Sequence, residues 1–341
     1  MLVLGIETSC DETSAAVVKD GTTILSNVVA TQFEFHRRYA GVVPEIASRR
    51  HSETINYVIE EALRKAAKAF EHIDAVAVTS HPGLIGSLLV GVISAKTISL
   101  ALGIPIIGID HIEAHLYSVH FDNDVVYPIV GLVISGGHTL LLYSERPDHY
   151  EIRGSTIDDA VGEAFDKVAK HLGLGYPGGP AIQSAAENGS EQAFAFPRVV
   201  LDRKANRYNF SYSGLKNAVI NQRSRFQSPG FDDTVENVAA SFQAAATDVL
   251  LTKSKMLCGD LGIKRIALAG GVSNNARVRN LFSEDEELQT YLPAKSLTQD
   301  NAAMVAGAAY HRLVRGERSD LDFEPRSRIT GIKKGKRKKD G

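Results

Sequence analysis

Leu2-Val-Leu-Gly-Ile-Glu-Thr-Ser-Cys-Asp-Glu-Thr-Ser-Ala-Ala-Val-Val18 joins one apolar strand to another through a turn of small polar residues. About 125 residues later, Pro128-Ile-Val-Gly-Leu-Val-Ile-Ser-Gly-Gly-His-Thr-Leu-Leu-Leu-Tyr143 repeats the plan. Each stretch predicts a β-hairpin, because apolar runs of strand length flank a cluster of turn formers. Turns rich in Gly, Ser and Thr expose backbone N–H groups and hydroxyls, the donors that hold phosphate. A third strand and helix-strand alternation follow each hairpin, so one α/β unit is expected to be used twice.

In the first unit Pro44 opens a long helix with apolar residues at Ile55, Val58, Ile59, Ala62, Leu63, Ala66 and Phe70. Ala75–Val78 reads as a buried strand, followed by an apolar helix ending near Gly103 and a strand over Ile106–Ile109. In the second unit a helix is expected over Asp158–Lys170, its first turn acidic as the helix dipole favours. Residues 197–213 look irregular, Val235–Leu257 helical, and Arg265–Ala269 a strand that runs into Gly270-Gly-Val-Ser-Asn-Asn275. A final helix spans Asn301–Val314. Strand, Gly-Gly, small polar residues and helix is the order that lets a nucleotide approach backbone and helix N-terminus closely. Alone that signal is weak, since tight strand-helix turns use glycine for steric reasons. Beside two phosphate-type hairpins it favours nucleotide binding.

His111 and His115 are spaced i, i+4, about 40° apart in projection on a helix, so both imidazoles can reach one metal ion. Zinc proteases share this spacing but need Glu directly after the first His as general base. Ile112 stands there instead. Glu113, the one acid between the two histidines, projects about 200° round the helix from His111 and points away. From spacing alone, two solvated or capping histidines fit as well as a metal pair.

At 341 residues, 44% hydrophobic and 23% charged, the chain has room for two cored domains. The longest apolar candidate, Leu84–Leu102, is interrupted by Gly86, Gly91 and Lys96, so no membrane span is expected. The N-terminus has no positively charged leader, and only Cys10 and Cys258 occur, which predicts a cytoplasmic location. The last eleven residues hold six basic residues and one acid; the rest carries 32 basic against 39 acidic residues, or −7. Such a run predicts a disordered basic tail that attracts polyanions, or a solvated one with no specific role.

Two related lobes with a cleft between them resemble the actin-like, sugar-kinase and Hsp70-type ATPase superfamily, with its ribonuclease-H-like α/β lobes. Eight collinear motifs are more specific. Gly5-Ile-Glu-Thr-Ser-Cys-Asp-Glu-Thr13, Gly41-Val-Val-Pro-Glu-Ile-Ala-Ser48, His111-x3-His115, Ser135-Gly-Gly-His-Thr139, Gly162-Glu-Ala-Phe-Asp-Lys167, Tyr176-Pro-Gly-Gly-Pro180, Gly270-Gly-Val-Ser273 and Asp300-Asn-Ala-Ala-Met304 resemble the TsaD family over roughly residues 1–315. These are tRNA adenosine threonylcarbamoyltransferases, formerly called glycoproteases. The resemblance implies a first lobe over 1–120, completed by the helix at about 298–316, a second over 121–297, and an extension over 317–341.

It also implies site roles. One divalent metal, iron or zinc, would be held by His111, His115 and Asp300. The loop Ile134, Ser135, Gly136, Gly137 and His138 would lie under phosphate or the activated acyl group. Asp166, Gly179 and Gln183 would face the ribose, and Asn275 the nucleotide, with Asn274 adjacent. The family reaction moves threonylcarbamoyl from threonylcarbamoyl-AMP to N6 of adenosine 37 in tRNAs reading codons that begin with A, and releases AMP; ATP or ADP also fits the cleft. His138 or Asp11 would accept the amine proton; for Asp11, capping a turn is the alternative. Implied partners are the tRNA anticodon stem-loop, with Arg37, Arg38, Arg49, Arg50 and the lysine tail as candidate contacts, the paralogue TsaB and the ATPase TsaE. For Arg49 and Arg50 a solvated helix face is the alternative. Gln183 stands where many members carry an acid, Thr298-Gln299 replaces Cys-Thr, and Ala40 and His81 replace glycines. The rival readings are a metal-dependent glycoprotease, a small-molecule kinase and an ATP-driven interaction module on the same fold.

Overall fold

The computed structural model describes residues 1–39, 41–201, 206–221 and 234–328. The basic run at 331–341 and Ala40 lie outside them. In the first half, β1 (Leu2–Glu7), β2 (Glu12–Lys19) and β3 (Thr23–Thr31) form an antiparallel meander, followed by α1 (Phe33–Arg37) and α2 (Pro44–Lys65). Then come β4 (Ala75–His81), α3 (Ile85–Leu102), β5 (Ile106–Asp110) and the short α4 (His111–Tyr117). The second half gives β6 (Ile129–Ile134), β7 (Thr139–Arg146), β8 (His149–Ser155), α5 (Val161–Leu172), α6 (Gly178–Ala186), α7 (Ser213–Asn221) and α8 (Thr234–Leu261). It continues with β9 (Arg265–Ala269), α9 (Ala276–Ser283) and β10 (Gln289–Tyr291), and α10 (Ala302–Val314) follows.

The sheets run β3-β2-β1-β4-β5 and, read from the corresponding edge, β8-β7-β6-β9-β10. Each pairs its first two neighbours antiparallel and its last two parallel, so the halves share one topology, as the two hairpins predict. The Pro44 helix runs as expected, burying Ile55, Val58, Ile59, Ala62 and Leu63 against the first sheet.

Three expectations need correction. The helix read from Asp158 begins at Val161; Asp158 instead accepts from the backbone N–H groups of Tyr212 and Ser213, at 2.8 and 3.2 Å, and caps the start of α7. A carboxylate suited to one helix N-terminus serves another 54 residues away. Second, the glycines and lysine in Leu84–Leu102 do not interrupt it. α3 is one continuous 18-residue helix, long and apolar enough to cross a membrane by length and composition. It buries Leu88, lays Val92 and Ala95 on the first sheet, and exposes Ile85, Leu89, Ile93 and Leu100. Third, Glu113 does turn away from the histidines, but it is not the only acid near them, as described below.

α4 explains where the two halves meet. Its Ala114 and Tyr117 pack into the core shared by the first sheet and α10, while Ile112 and Leu116 pack under the second sheet. Its remaining face carries His111 and His115. α10 closes over the first sheet at Gly5, where a side chain would overlap the Ala302 carbonyl oxygen. The Ala302 N–H donates to Ser14 Oγ at 2.9 Å, and the Asn301 side chain caps the helix at Met304 N. Asp300, the residue before that cap, is thereby fixed over the end of β1.

Gly5→Ala is expected to destabilise the chain by about 1–3 kcal/mol, because the obstructing atom is backbone and cannot swing aside. Urea unfolding measures this. An unchanged midpoint would show that α10 does not need this approach.

Candidate functional site

Asp300 meets the histidines across 185 residues of chain. His115 Nε2 lies 3.0 Å and His111 Nε2 3.6 Å from Asp300 Oδ1. One ligand atom from each of the three falls within 4.8 Å of the others. The expected convergence is present. Two imidazoles and a carboxylate suit a divalent transition metal.

Behind them sits a residue the sequence reading missed. Glu7, fully buried at the end of β1, places Oε2 3.2 Å from His111 Nδ1. Ser9 Oγ lies 3.2 Å from the same nitrogen, Ser9 N–H donates to Glu7 Oε1 at 2.5 Å, and Thr79 Oγ1 donates to Glu7 Oε2. A carboxylate on Nδ1 fixes the tautomer and leaves Nε2 for a cation. The donor set therefore fits a metal. His115 Nδ1 is buried with no hydrogen-bond partner among the described residues.

Burial opposes charge on His111, but Asp300 and Glu7 outweigh it and lift its pKa to about 9. Burial likewise opposes ionisation of Asp300, yet His111, His115 and His138 hold its carboxyl well below the usual range. Glu7 is lowered too, burial being overcome chiefly by His111. The cluster is thus two carboxylates with a proton on His111, a place already shaped for positive charge.

Both hairpin turns approach this cluster. In the second, Ser135 N–H donates to His138 O at 2.8 Å and His138 N–H to Ser135 Oγ at 3.1 Å. Gly136 and Gly137 are exposed with open space beside them. Gly162 lets α5 start against this loop, since a Cβ there would come 2.5 Å from Ser135 O. Ile134 is buried in β6. Burial, with His111 and His115 nearby, pushes His138 down to about 4. That imidazole is neutral at pH 7 beside the triad.

In the first turn Asp11 and Cys10 are half-buried. Neighbouring Glu12 is a second group the sequence reading missed: burial, then Asp11 and Asp300, push its pKa up to about 10. The protonated form of Glu12 is thereby favoured. Only its place in the fold, facing two other acids, shows this.

The expected ribose and nucleotide residues gather on α5, α6 and α9 of the second half. Asp166 Oδ1 accepts the Gly178 N–H at 2.7 Å and caps α6, beside which Gly179 faces open space. Burial raises Asp166. Gln183 Oε1 accepts the Ala276 N–H at 2.7 Å, which uses one of its two lone pairs and leaves both amide hydrogens for a ligand. Asn275 Oδ1 caps α9 at Val278 N, 3.1 Å, and Nδ2 donates to Gln243 Oε1 at 2.8 Å. Asn274 Oδ1 is buried and has no partner among the described residues.

The sequence model of the family described as "TsaD: tRNA N6-adenosine threonylcarbamoyltransferase" matches residues 23–307. The chain belongs to the TsaD family. A tRNA N6-adenosine threonylcarbamoyltransferase of Treponema denticola is 48% identical over 98% of this chain and 99% of its own length. One of Bacillus subtilis is 47% identical over 97% and 96%. Among solved structures, HypF of T. kodakarensis superposes with a TM-score of 0.62 at 16% identity, over 92% of this chain and 48% of that one. The (R)-2-hydroxyglutaryl-CoA dehydratase component A of Acidaminococcus fermentans gives 0.55 at 16%, over 92% and 99%. These likenesses establish the expected actin-like ATPase fold.

Two outcomes follow from the His111 proton. Its raised pKa contributes stability to the metal-free protein below about pH 6.5, and that contribution is lost as pH rises through about 9. A metal must displace the same proton, so its affinity is expected to rise about tenfold per pH unit up to pH 9 and then level. Chelator competition at several pH values measures this; a flat profile contradicts it. Glu7→Gln is expected to weaken metal affinity by about 10–100-fold at pH 7, against no change if Glu7 only fills space.

Proposed function

We propose that this chain transfers the threonylcarbamoyl group from threonylcarbamoyl-AMP to N6 of adenosine 37 of tRNA, with release of AMP. The observation that carries the reading is the histidine-aspartate triad at the point where both hairpin turns approach, in a chain that its relatives match almost end to end. The chemical problem is a poor nucleophile: the exocyclic amine shares its lone pair with the purine ring. The acyl carbon must be made more electrophilic and the phosphate leaving group offset.

His111, His115 and Asp300 would hold one divalent metal, iron or zinc, which supplies Lewis acidity. Glu7 orients His111. The exposed N–H groups of Gly136 and Gly137 meet the developing oxyanion, at about 3 kcal/mol per well-placed donor. Ile134 to His138 underlie the phosphate, and the neutral imidazole of His138 positions the acyl group. Asp11, next to Glu12, takes the amine proton. Asp166, Gly179 and the amide of Gln183 face the ribose; Asn275 offers its remaining amide hydrogen to the nucleotide and holds α9 in place. ATP or ADP occupies the same cleft.

The two lobes are 1–120, closed by the helix at 298–316, and 121–297, with 317–341 as an extension. The protein works in the cytoplasm with tRNA, TsaB and TsaE. The exposed Ile85, Leu89, Ile93 and Leu100 of α3, with Tyr57 of α2, form the apolar face for the paralogue rather than for a bilayer. A protease is disfavoured because Ile112, where its base would stand, is fully buried.

Nucleoside mass spectrometry of unmodified tRNA, incubated with threonylcarbamoyl-AMP and this chain with and without TsaB and TsaE, tests the reading. Threonylcarbamoyladenosine is the expected product. Its absence under every combination, with donor intact, contradicts the proposal. His111→Ala and His115→Ala are expected to abolish transfer with the fold retained by circular dichroism. Asp11→Ala is expected to lower turnover more than nucleotide affinity; equal losses would move Asp11 from proton transfer to binding.

A further inference from the structure

α1 is five residues long, too short to persist without tertiary support. A buried polar spine holds it. Gln32 N–H donates to Asp11 O at 3.1 Å, and Gln32 Nε2 donates to Ala47 O at 3.3 Å. His36 Nε2 lies 3.3 Å from Gln32 Oε1, and Val43 N–H donates to His36 Nδ1 at 3.3 Å. His51 ties this spine to the first hairpin turn, through Thr13 Oγ1 at 2.8 Å and Cys10 O at 3.0 Å. His36 and His51 are both fully buried. So the inner side of the arm is clamped to the turn that carries Asp11 and Glu12.

Its outer side is aromatic and cationic. Phe35 is 38% and Tyr39 51% exposed. The Arg50 guanidinium covers one face of Phe35 at 3.7 Å, and Arg38 lies 4.9 Å over Tyr39. Phe33 stacks on Tyr176 of the second half, with centroids 5.9 Å apart and planes 11° apart. Tyr176 is itself close enough to Asp166 and Asp11 to feel their charges. Phe33 and Tyr176 therefore join the two halves, and Gln32 holds this segment to Asp11 of the first hairpin turn.

We propose that Phe35, Tyr39 and Arg38, continued by Phe33 and Tyr176, form the platform on which unpaired loop nucleotides of the RNA stack beside the acceptor adenosine. The inference rests on the transferase reading. A base whose exocyclic amine reacts must leave its stack, and its neighbours then need π-faces to lie on. Exposed aromatics interleaved with guanidinium groups supply those faces. The acids nearby, Glu34, Glu45 and Glu53, offset most of the arginine charge. That balance suits base stacking on a short loop better than tracking a phosphate backbone.

The test is fluorescence anisotropy of a labelled, unmodified anticodon stem-loop RNA with the full metal-loaded chain, alone and with TsaB and TsaE. Tyr39→Ala and Phe35→Ala are each expected to weaken RNA binding about tenfold with an unchanged salt slope. Tyr39→Phe keeps wild-type affinity, and Arg38→Ala lowers the salt slope by about one. AMP affinity stays within twofold in every variant. Wild-type binding of RNA with equal affinity in Tyr39→Ala and Phe35→Ala overturns the platform alone. Loss of TsaB or TsaE binding with RNA affinity intact overturns it too, by making the arm a protein contact. No RNA binding by the wild type in any combination overturns the transferase reading itself.

Discussion

A buried carboxylate, Glu7, and a partly exposed one, Asp300, face two buried imidazoles and set the terms for the rest of this structure. Glu7 and Asp300 reach the His111–His115 pair from opposite ends of the chain, one at the close of the first strand and the other just before the last helix. Charges this deep are tolerated only when compensated; removing one partner of such a pair costs about 3–5 kcal/mol. In the metal-free protein a proton on His111 supplies part of the compensation. A divalent cation would replace that proton with a larger charge at the same atoms. The cluster is thus maintained by whichever positive species occupies it, and the packing that brings α10 onto β1 is what allows it to form.

The duplicated topology explains why this cluster lies between two turns. Each half places its meander hairpin at the same point of an equivalent sheet, so the Thr8–Asp11 and Ser135–His138 turns approach one region from two sides. α4 is wedged between the sheets and shares its side chains between both cores. Nothing in this helix is free to drift. A metal pair on such an element is held more tightly than one on a loop, which suits a reaction that depends on positioning a weak nucleophile.

Local signals made the architecture legible. Apolar runs broken by turns of small polar residues marked both hairpins, Pro44 marked the start of a helix that buries the expected residues, and the i, i+4 spacing marked the histidine pair. Asp300 was reachable only through family resemblance, because nothing local relates it to residues 185 positions away. Glu7 and Glu12 escaped for the same reason. A glutamate at the end of a strand looks like a solvated terminus until its neighbours in space are known. Asp158 failed differently: an acidic first turn is a sound local rule, but here the carboxylate caps α7 instead. Gln183 and Asn275 spend much of their hydrogen-bonding capacity inside the protein, which no sequence pattern reveals.

The central claim is that one divalent ion binds at the imidazole nitrogens of His111 and His115 and the carboxylate of Asp300. Anomalous diffraction at the metal absorption edge, from crystals of the protein purified without chelator, tests it most directly. The account predicts a single strong peak within coordination distance of all three side chains, absent from crystals of the Asp300→Ala protein. A peak elsewhere, or one that persists in that variant, would contradict it.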